Sequence, residues 1–338
     1  MTNKIAVLIP CYNEGLTIRK VVEDFKKYLD GSNVTIYVYD NNSSDNTVSE
    51  AKEAGAIVRH EYKQGKGNVI RRMFREIEAD CYIMTDGDDT YDASNCMEMV
   101  KLVLEKNADM VIGDRLTGGY FEENKRPFHN MGNTLVRKSI NKIFKSDITD
   151  VMTGYRAFSR NFVKTFPVLS RGFEVETEMT IHAIDKGMQL ESITVNYKDR
   201  IEGSVSKLNT IPDGIKVLKT IKNMFMTYKP FTFFTVIAAF LSLISTGFLI
   251  PVVAEYAHTG EVEKFPTLIV CMAVYMLAML IFIAGIILQN LRRKELTDFE
   301  YTLNNVSWQG KNPSIDAIPM NRLKYGEKIT VNKKDKTA

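Results

Sequence analysis

The segment Thr85 to Asp92, "TDGDDTYD", crowds Asp86, Asp88, Asp89 and Asp92 directly behind a short apolar run. Carboxylates that close repel one another and raise each other's pKa unless positive charge sits among them. Two readings follow. Asp and Gly are turn formers, so the segment can be a solvated turn between strand and helix. Hard oxygen ligands can instead hold a divalent cation beside a substrate phosphate. On this stretch alone both readings stand.

Other residues carry chemistry of a matching kind. Lys66 in "QGKGN" can meet a phosphate with its charge, helped by glycines that let backbone approach closely, or it can be a surface lysine in a glycine turn. Arg115, Arg126, Arg156 and Arg200 are candidates for phosphate handling, because the guanidinium fork fits phosphate oxygens and stays charged. Glu174, Glu176 and Glu178 in "GFEVETEM" can supply a general base to a hydroxyl, or can cap the following helix and pair with arginines. None of the four histidines has metal-ligand spacing.

Strands and helices must position these groups. Ile5–Ile9 is an apolar run ending at Pro10, and Ile18, Val21, Val22, Phe25 and Leu29 form a helical stripe behind it. Val34–Tyr39 is β-branched and aromatic, and "DNNSSDNT" then supplies turn chemistry and a helix start. Ile57–His60, Cys81–Thr85 and Met110–Gly113 read as strands, separated by helices near Asn68–Glu78 and Ser94–Lys106. The alternation predicts an α/β, doubly wound, mostly parallel sheet, with ligands at the carboxyl ends of its strands. Pro10 to Glu14, Asp40 to Asn42 and Asp86 to Asp89 all fall there. Further on, helices are expected over Asn130–Ile143 and Glu176–Lys186, and a strand over Leu190–Tyr197.

The chain of 338 residues carries a net charge of +3, too little to argue for nucleic acid. Its four cysteines are scattered without a CxxC pair, as expected of reduced thiols in the cytosol. The N-terminal apolar run is too short for a signal peptide, and Pro10 and Glu14 interrupt it. Residues 231–254 and 265–289 contain no charged side chain, and each is long enough to cross a bilayer. Their connector carries Glu255, Glu261 and Glu263, whereas Lys216, Lys219, Lys222 and Lys229 lie before the pair and Arg292, Arg293 and Lys294 after it. The positive-inside rule then predicts a multi-pass membrane hairpin with the N-terminal bulk and both termini in the cytosol. A basic amphipathic helix is expected over 211–229, lying in the headgroup plane. The expected division is a catalytic domain over 1–210, this helix, a hairpin over 230–290 and a tail over 291–338, loosely ordered beyond Leu296.

"VLIPCYNE", "VYDNNSSDNT", "GKGNVIRRM", "TDGDDTYD", "GDR", "TGYRAF", "GFEVETEM" and "YKDRIEGSVSKLNTIPDG" occur in that order. Together they resemble a family 2 inverting glycosyltransferase of the GT-A fold, of the polyprenyl-phosphate (dolichol-phosphate mannose synthase-like) branch with two membrane helices. The resemblance spans about residues 4 to 227. It implies Mg²⁺ or Mn²⁺ on Asp86 and Asp88, with Asp89 compensating for Thr90, which stands where relatives often carry Gln. It implies Asp40 as reader of the base N–H, with Pro10, Tyr12, Glu14, Asn42 and Lys66 also lining the nucleotide site. It puts Arg200 and Lys207 on the donor diphosphate, and Arg115 and Arg126 on the acceptor phosphate. The implied reaction moves one hexose from a nucleotide sugar to undecaprenyl phosphate on the inner leaflet of the cytoplasmic membrane. UDP-glucose and UDP-N-acetylglucosamine are the leading donors, with GDP-mannose behind; a homo-oligomer stays open. The alternatives are transfer to a hydroxyl of a lipid-linked glycan, or a non-catalytic nucleotide-sugar-binding scaffold in the membrane. No QxxRW motif is present, which argues against processive polysaccharide synthesis.

Overall fold

The computed structural model describes residues 3–116, 127–172, 174–198 and 222–309, with side chains omitted for 127–133 and 308–309. Arg126, Arg200 and Lys207 lie outside the described residues, as does most of the expected interfacial helix. The chain folds as two compact units, Met1–Ile211 with Tyr301–Ala338, and Pro212–Glu300.

The first unit is built on a seven-stranded sheet: β1 (Lys4–Cys11), β2 (Asn33–Asp40), β3 (Ile57–His60), β4 (Cys81–Met84), β5 (Met110–Asp114), β6 (Arg156–Ser159) and β7 (Leu190–Thr194), in the order β3-β2-β1-β4-β6-β5-β7. All neighbours pair in parallel except β6, which runs antiparallel to both β4 and β5. Helices α1 (Ile18–Tyr28), α2 (Thr47–Glu53), α3 (Lys66–Glu76) and α4 (Cys96–Leu104) connect the first five strands. α5 (Pro127–Phe144), α6 (Arg160–Thr165) and α7 (Val175–Asp185) also belong to this unit. In α1 the expected stripe is the buried face: Ile18, Val21, Val22 and Phe25 pack on a core that includes Val7 and Ile9 of β1. β1 and β4 are buried on both faces, so they read as continuous apolar runs, as parallel strands covered by helices must.

β6 and α6 were not anticipated. A four-residue strand, "RAFS", offers too little alternation to register as a period, and its arginine argues against a buried strand. The structure nevertheless closes β6 between β4 and β5, with Ala157 opposite Ile83 and Val111. The sheet is therefore mostly parallel with one antiparallel insertion.

The second unit holds α8 (Pro230–Thr259) and α9 (Phe265–Gln309) as far as Glu300, and both helices are long and apolar enough to cross a membrane. Most of each apolar stretch is unburied, unlike the core helix of a soluble domain. Polar contacts join the pair: Ser245 Oγ donates to the Cys271 carbonyl at 2.9 Å, and the Thr246 and Tyr275 hydroxyls lie 2.5 Å apart. α9 also corrects the expected tail. It runs on to Gln309 because no Gly or Pro interrupts residues 286 to 309, and spaced charges such as Arg292 and Glu295 (2.9 Å) suit a helix.

Candidate active site

The parallel register sets Pro10 beside Tyr39 and Cys11 beside Asp40, so the loops after β1 and β2 leave the sheet together. Backbone N–H groups of each loop donate to side chains of the other. Asn13, at φ 56°, accepts the Ser44 N–H at 2.8 Å through Oδ1 and donates its own N–H to Ser43 Oγ at 2.9 Å. The Glu14 N–H reaches Thr47 Oγ1, and the Gly15 N–H reaches Asp45 Oδ2, each at 2.9 Å. Asp40 is buried at the loop's root, accepting the Ser43 N–H at 3.2 Å, with His60 Nδ1 at 3.2 Å from its other oxygen. Asn42, at φ 66°, donates to the Tyr62 carbonyl and to Gln64, both at 3.1 Å. Its amide braces the neighbouring loop. Tyr12 stands at the rim, exposed.

The carboxylate cluster follows β4. Asp88 is only 4% exposed, and its Oδ1 accepts from the Thr90 hydroxyl at 2.6 Å and the Thr90 N–H at 3.3 Å. Thr90 thus braces Asp88. The Thr17 hydroxyl fixes the same loop by donating to the Gly87 carbonyl at 2.6 Å. Asp86 Oδ1 lies 2.5 Å from Lys66 Nζ, and the same ammonium donates to Glu176 Oε1 at 2.6 Å. Lys66 is drawn in by its helix start: a Cβ on Gly67 would come 2.1 Å from the Ser170 carbonyl oxygen, and one on Gly65 2.2 Å from that of Arg171. Only glycine admits that approach. Glu176 is 4% exposed, and among the described residues its Oε2 has no hydrogen-bond partner. Burial raises the Glu176 pKa, Lys66 opposes that, and Asp86 adds to it. For Lys66 burial pulls the other way, but Asp86 and Glu176 outweigh it and hold the ammonium charged.

Asp89, whose backbone is at φ 57°, has its own partner: its Oδ1 accepts from Lys20 of α1 at 2.6 Å, whereas Asp86 is held by Lys66 and Asp88 by Thr90. Among the described residues no three His, Cys, Asp or Glu side chains gather as a metal cage. Two carboxylates still suit a small hard cation that brings phosphate oxygens and water as its other ligands.

The arginines separate. Arg115 follows β5 and grips Asp150 through Nε at 2.8 Å and Nη2 at 3.1 Å. Its guanidinium also lies over the rings of Tyr197 and Tyr91, 5.4 and 6.0 Å from their centroids. Arg156 corrects an expectation. It is fully buried and donates to Thr153 O (2.9 Å), Thr180 Oγ1 (2.8 Å) and Val151 O (2.7 Å), so it supports the loop between α5 and β6 from beneath. Burial pushes its pKa down to about 10. Among the glutamates, Glu178 accepts the Leu169 and Ser170 N–H groups at 3.1 and 3.0 Å, a structural cap. Glu176 pairs with a lysine, not an arginine. Asp150, Tyr91 and Tyr197 went unnoticed, because no local spacing links them to Arg115.

The family model described as Glycosyl transferase family 2 matches residues 6–166. A glycosyltransferase of Haloferax volcanii, AglJ, is 31% identical over 236 residues, 68% of this chain and 75% of that protein. The chain belongs to glycosyl transferase family 2. The dolichyl-phosphate hexose transferase of H. volcanii is 25% identical over 217 residues, 64% of this glycosyltransferase and 92% of that one. Among solved structures, Mycobacterium tuberculosis glucosyl-3-phosphoglycerate synthase in complex with Mn²⁺, UDP and glucosyl-3-phosphoglycerate aligns with a TM-score of 0.51 at 19% identity. That alignment covers 66% of the glycosyltransferase and 79% of the synthase, and it shows a shared GT-A-like fold. The family match takes in Asp40, Lys66, Asp86, Asp88, Arg115 and Arg156 but ends before Glu176.

Proposed function

We propose that this glycosyltransferase moves a single hexose from a nucleotide sugar to a polyprenyl phosphate at the cytoplasmic face of a membrane. One observation carries the reading. The same chain joins the Asp86 and Asp88 carboxylates, at the end of a central parallel strand, to a pair of long, largely unburied apolar helices. The dolichyl-phosphate relative supports the acceptor class. A lipid phosphate is already anionic and needs charge balance and orientation more than a base. That suits a site where Glu178 is committed to backbone amides and Glu176 to Lys66. Arg115, placed by Asp150 and two tyrosine rings, is the candidate for the acceptor phosphate.

Asp86 and Asp88 would hold Mg²⁺ or Mn²⁺, which supplies positive charge to the departing diphosphate. Asp40 would meet the base. UDP-glucose and UDP-N-acetylglucosamine are the favoured donors, and the charge distribution around the helix pair supports a first unit on the cytosolic side. The test incubates purified full-length protein with undecaprenyl phosphate and radiolabelled UDP-glucose, UDP-N-acetylglucosamine or GDP-mannose, followed by thin-layer chromatography of the lipid extract. Label should enter a lipid product with one donor, vanish in excess chelator, return with Mg²⁺ or Mn²⁺, and fall by orders of magnitude in Asp88→Asn. Transfer only to a glycan hydroxyl, or full activity in chelator, would sink the reading.

A further inference from the structure

Lys66 brings a positive charge into the very cluster that is suited to a divalent cation. Its ammonium is 2.5 Å from Asp86 Oδ1 and 2.6 Å from Glu176 Oε1, with only 10% of its side chain exposed. Both ends of the Lys66–Glu176 pair are fixed to one frame. The Gly67 N–H donates to the Arg171 carbonyl at 3.1 Å, and Glu178, two residues along α7 from Glu176, accepts the Leu169 and Ser170 amides. Asp86 belongs to a different element, the loop after β4. The ammonium therefore bridges a rigid frame to the cation loop. Glu176 also keeps an oxygen, Oε2, that is buried and has no hydrogen-bond partner among the described residues.

We propose that Lys66 is a built-in counter-cation that competes with the divalent ion for Asp86 and retreats onto Glu176 when the ion binds. Without an ion, one ammonium balances Asp86 and Glu176. When an ion takes Asp86, Lys66 keeps a full partner in Glu176, whose second oxygen accepts the N–H that Asp86 gives up. Two cations side by side repel, so the ion alone binds weakly. A nucleoside diphosphate brings the negative charge that lets both stay, and ion and nucleotide enter as a coupled pair. This inference rests on the metal reading above, but it concerns Lys66 and Glu176, whose roles that reading leaves open.

The test measures Mn²⁺ binding from the free-ion electron paramagnetic resonance signal, using full-length protein in detergent, with and without UDP or GDP. Wild type should bind Mn²⁺ weakly alone and much more tightly with its nucleotide. Lys66→Met should bind Mn²⁺ alone about tenfold more tightly or better, because the repelling charge is gone. It should also show a smaller gain from the nucleotide. Glu176→Gln should move the other way, weakening Mn²⁺ alone by about tenfold, since Lys66 is then left with Asp86 only. In the double variant the Glu176 change should have no further effect. Melting curves identify any variant that fails to fold, and Glu176→Gln, which keeps shape and the lysine, carries the test if Lys66→Met does. Mn²⁺ binding that is unchanged or weaker in a folded Lys66→Met would overturn the proposal. So would Glu176→Gln leaving Mn²⁺ binding unchanged, or weakening it equally with and without Lys66, the mark of a direct ligand. Wild type that binds no Mn²⁺ even with nucleotide overturns the metal reading and this inference together.

Discussion

Replacing Arg156 with methionine separates a structural arginine from a phosphate-binding one. The guanidinium is fully buried, and each of its three nitrogens has a protein partner: Thr153 O, Thr180 Oγ1 and Val151 O, at 2.9, 2.8 and 2.7 Å. Methionine fills much of the stem's volume but donates nothing, so two carbonyls and a hydroxyl lose a donor in the interior. Hydrogen bonds to a charged group are worth about 1.5–3 kcal/mol each. Three such terms do not add, and removing a buried charge recovers its desolvation, so the net loss should be about 3–5 kcal/mol. At roughly 2–4 °C per kcal/mol for a domain of this size, the apparent Tm should fall by about 6–20 °C. The assay is fluorescence-detected melting of full-length protein in detergent, paired with nucleotide titration well below the transition. Nucleotide affinity should change by less than about threefold, since no nitrogen is aimed at a ligand. An unchanged Tm with nucleotide affinity lost tenfold would refute the reasoning and return Arg156 to the candidates for phosphate handling.

Two further substitutions probe the frame and the proposed acceptor end. Gly67→Ala places a Cβ 2.1 Å from the Ser170 carbonyl oxygen, so the backbone under Lys66 must shift, and transfer should drop by about tenfold or more. Gly247→Ala, with nothing within 4 Å of the added methyl, should leave activity unchanged; equal activity in both variants would show that the close approach is unimportant. Arg115→Lys keeps a charge but loses the two-pronged grip on Asp150, and kcat/KM for the lipid should fall by about tenfold with donor KM nearly unchanged. Steady-state kinetics varying undecaprenyl phosphate at saturating donor measure it, and unaltered lipid kinetics would remove Arg115 from the acceptor site.

What could be read from the sequence was what repeats locally. The period-3.6 stripe of α1 and the apolar runs of β1, β2 and β4 each declare themselves within a dozen residues, because one buried face imposes one period. The uncharged stretches of α8 and α9 are as plain, since a bilayer demands about 20 apolar residues in a row. What could not be read was pairing between distant segments. Nothing near Lys66 names Glu176, and nothing near Asp89 shows that Lys20 will claim it; both meetings depend on how α1, α3 and α7 pack. The "DGDD" cluster was therefore legible as a candidate site, while the partner that each of its carboxylates takes was not.

Arg115 and Arg156 show why motif position and burial have to be weighed together. Both stand in segments that match the family, and both have the same chemistry to offer. Their backbones decide differently. Arg156 opens β6, where Tyr155 and Ala157 turn to the core that holds α1 and α4. Alternation sends Arg156 and Phe158 to the other face, where Phe158 stacks on Phe162 at 4.8 Å and the guanidinium reaches Thr180 of α7. A charge in a strand covered on both faces must find its partners inside the protein, and it finds them in the carbonyls of the loop that carries Asp150. Arg115 follows the last residue of β5, where the strand gives way to loop, and Asp150 receives it there. One arginine thus holds the loop that presents the partner of the other. If Arg115 meets the acceptor as proposed, loss of Arg156 should reach that end of the site through Asp150 and Arg115, as a higher apparent KM for lipid, before it reaches the donor.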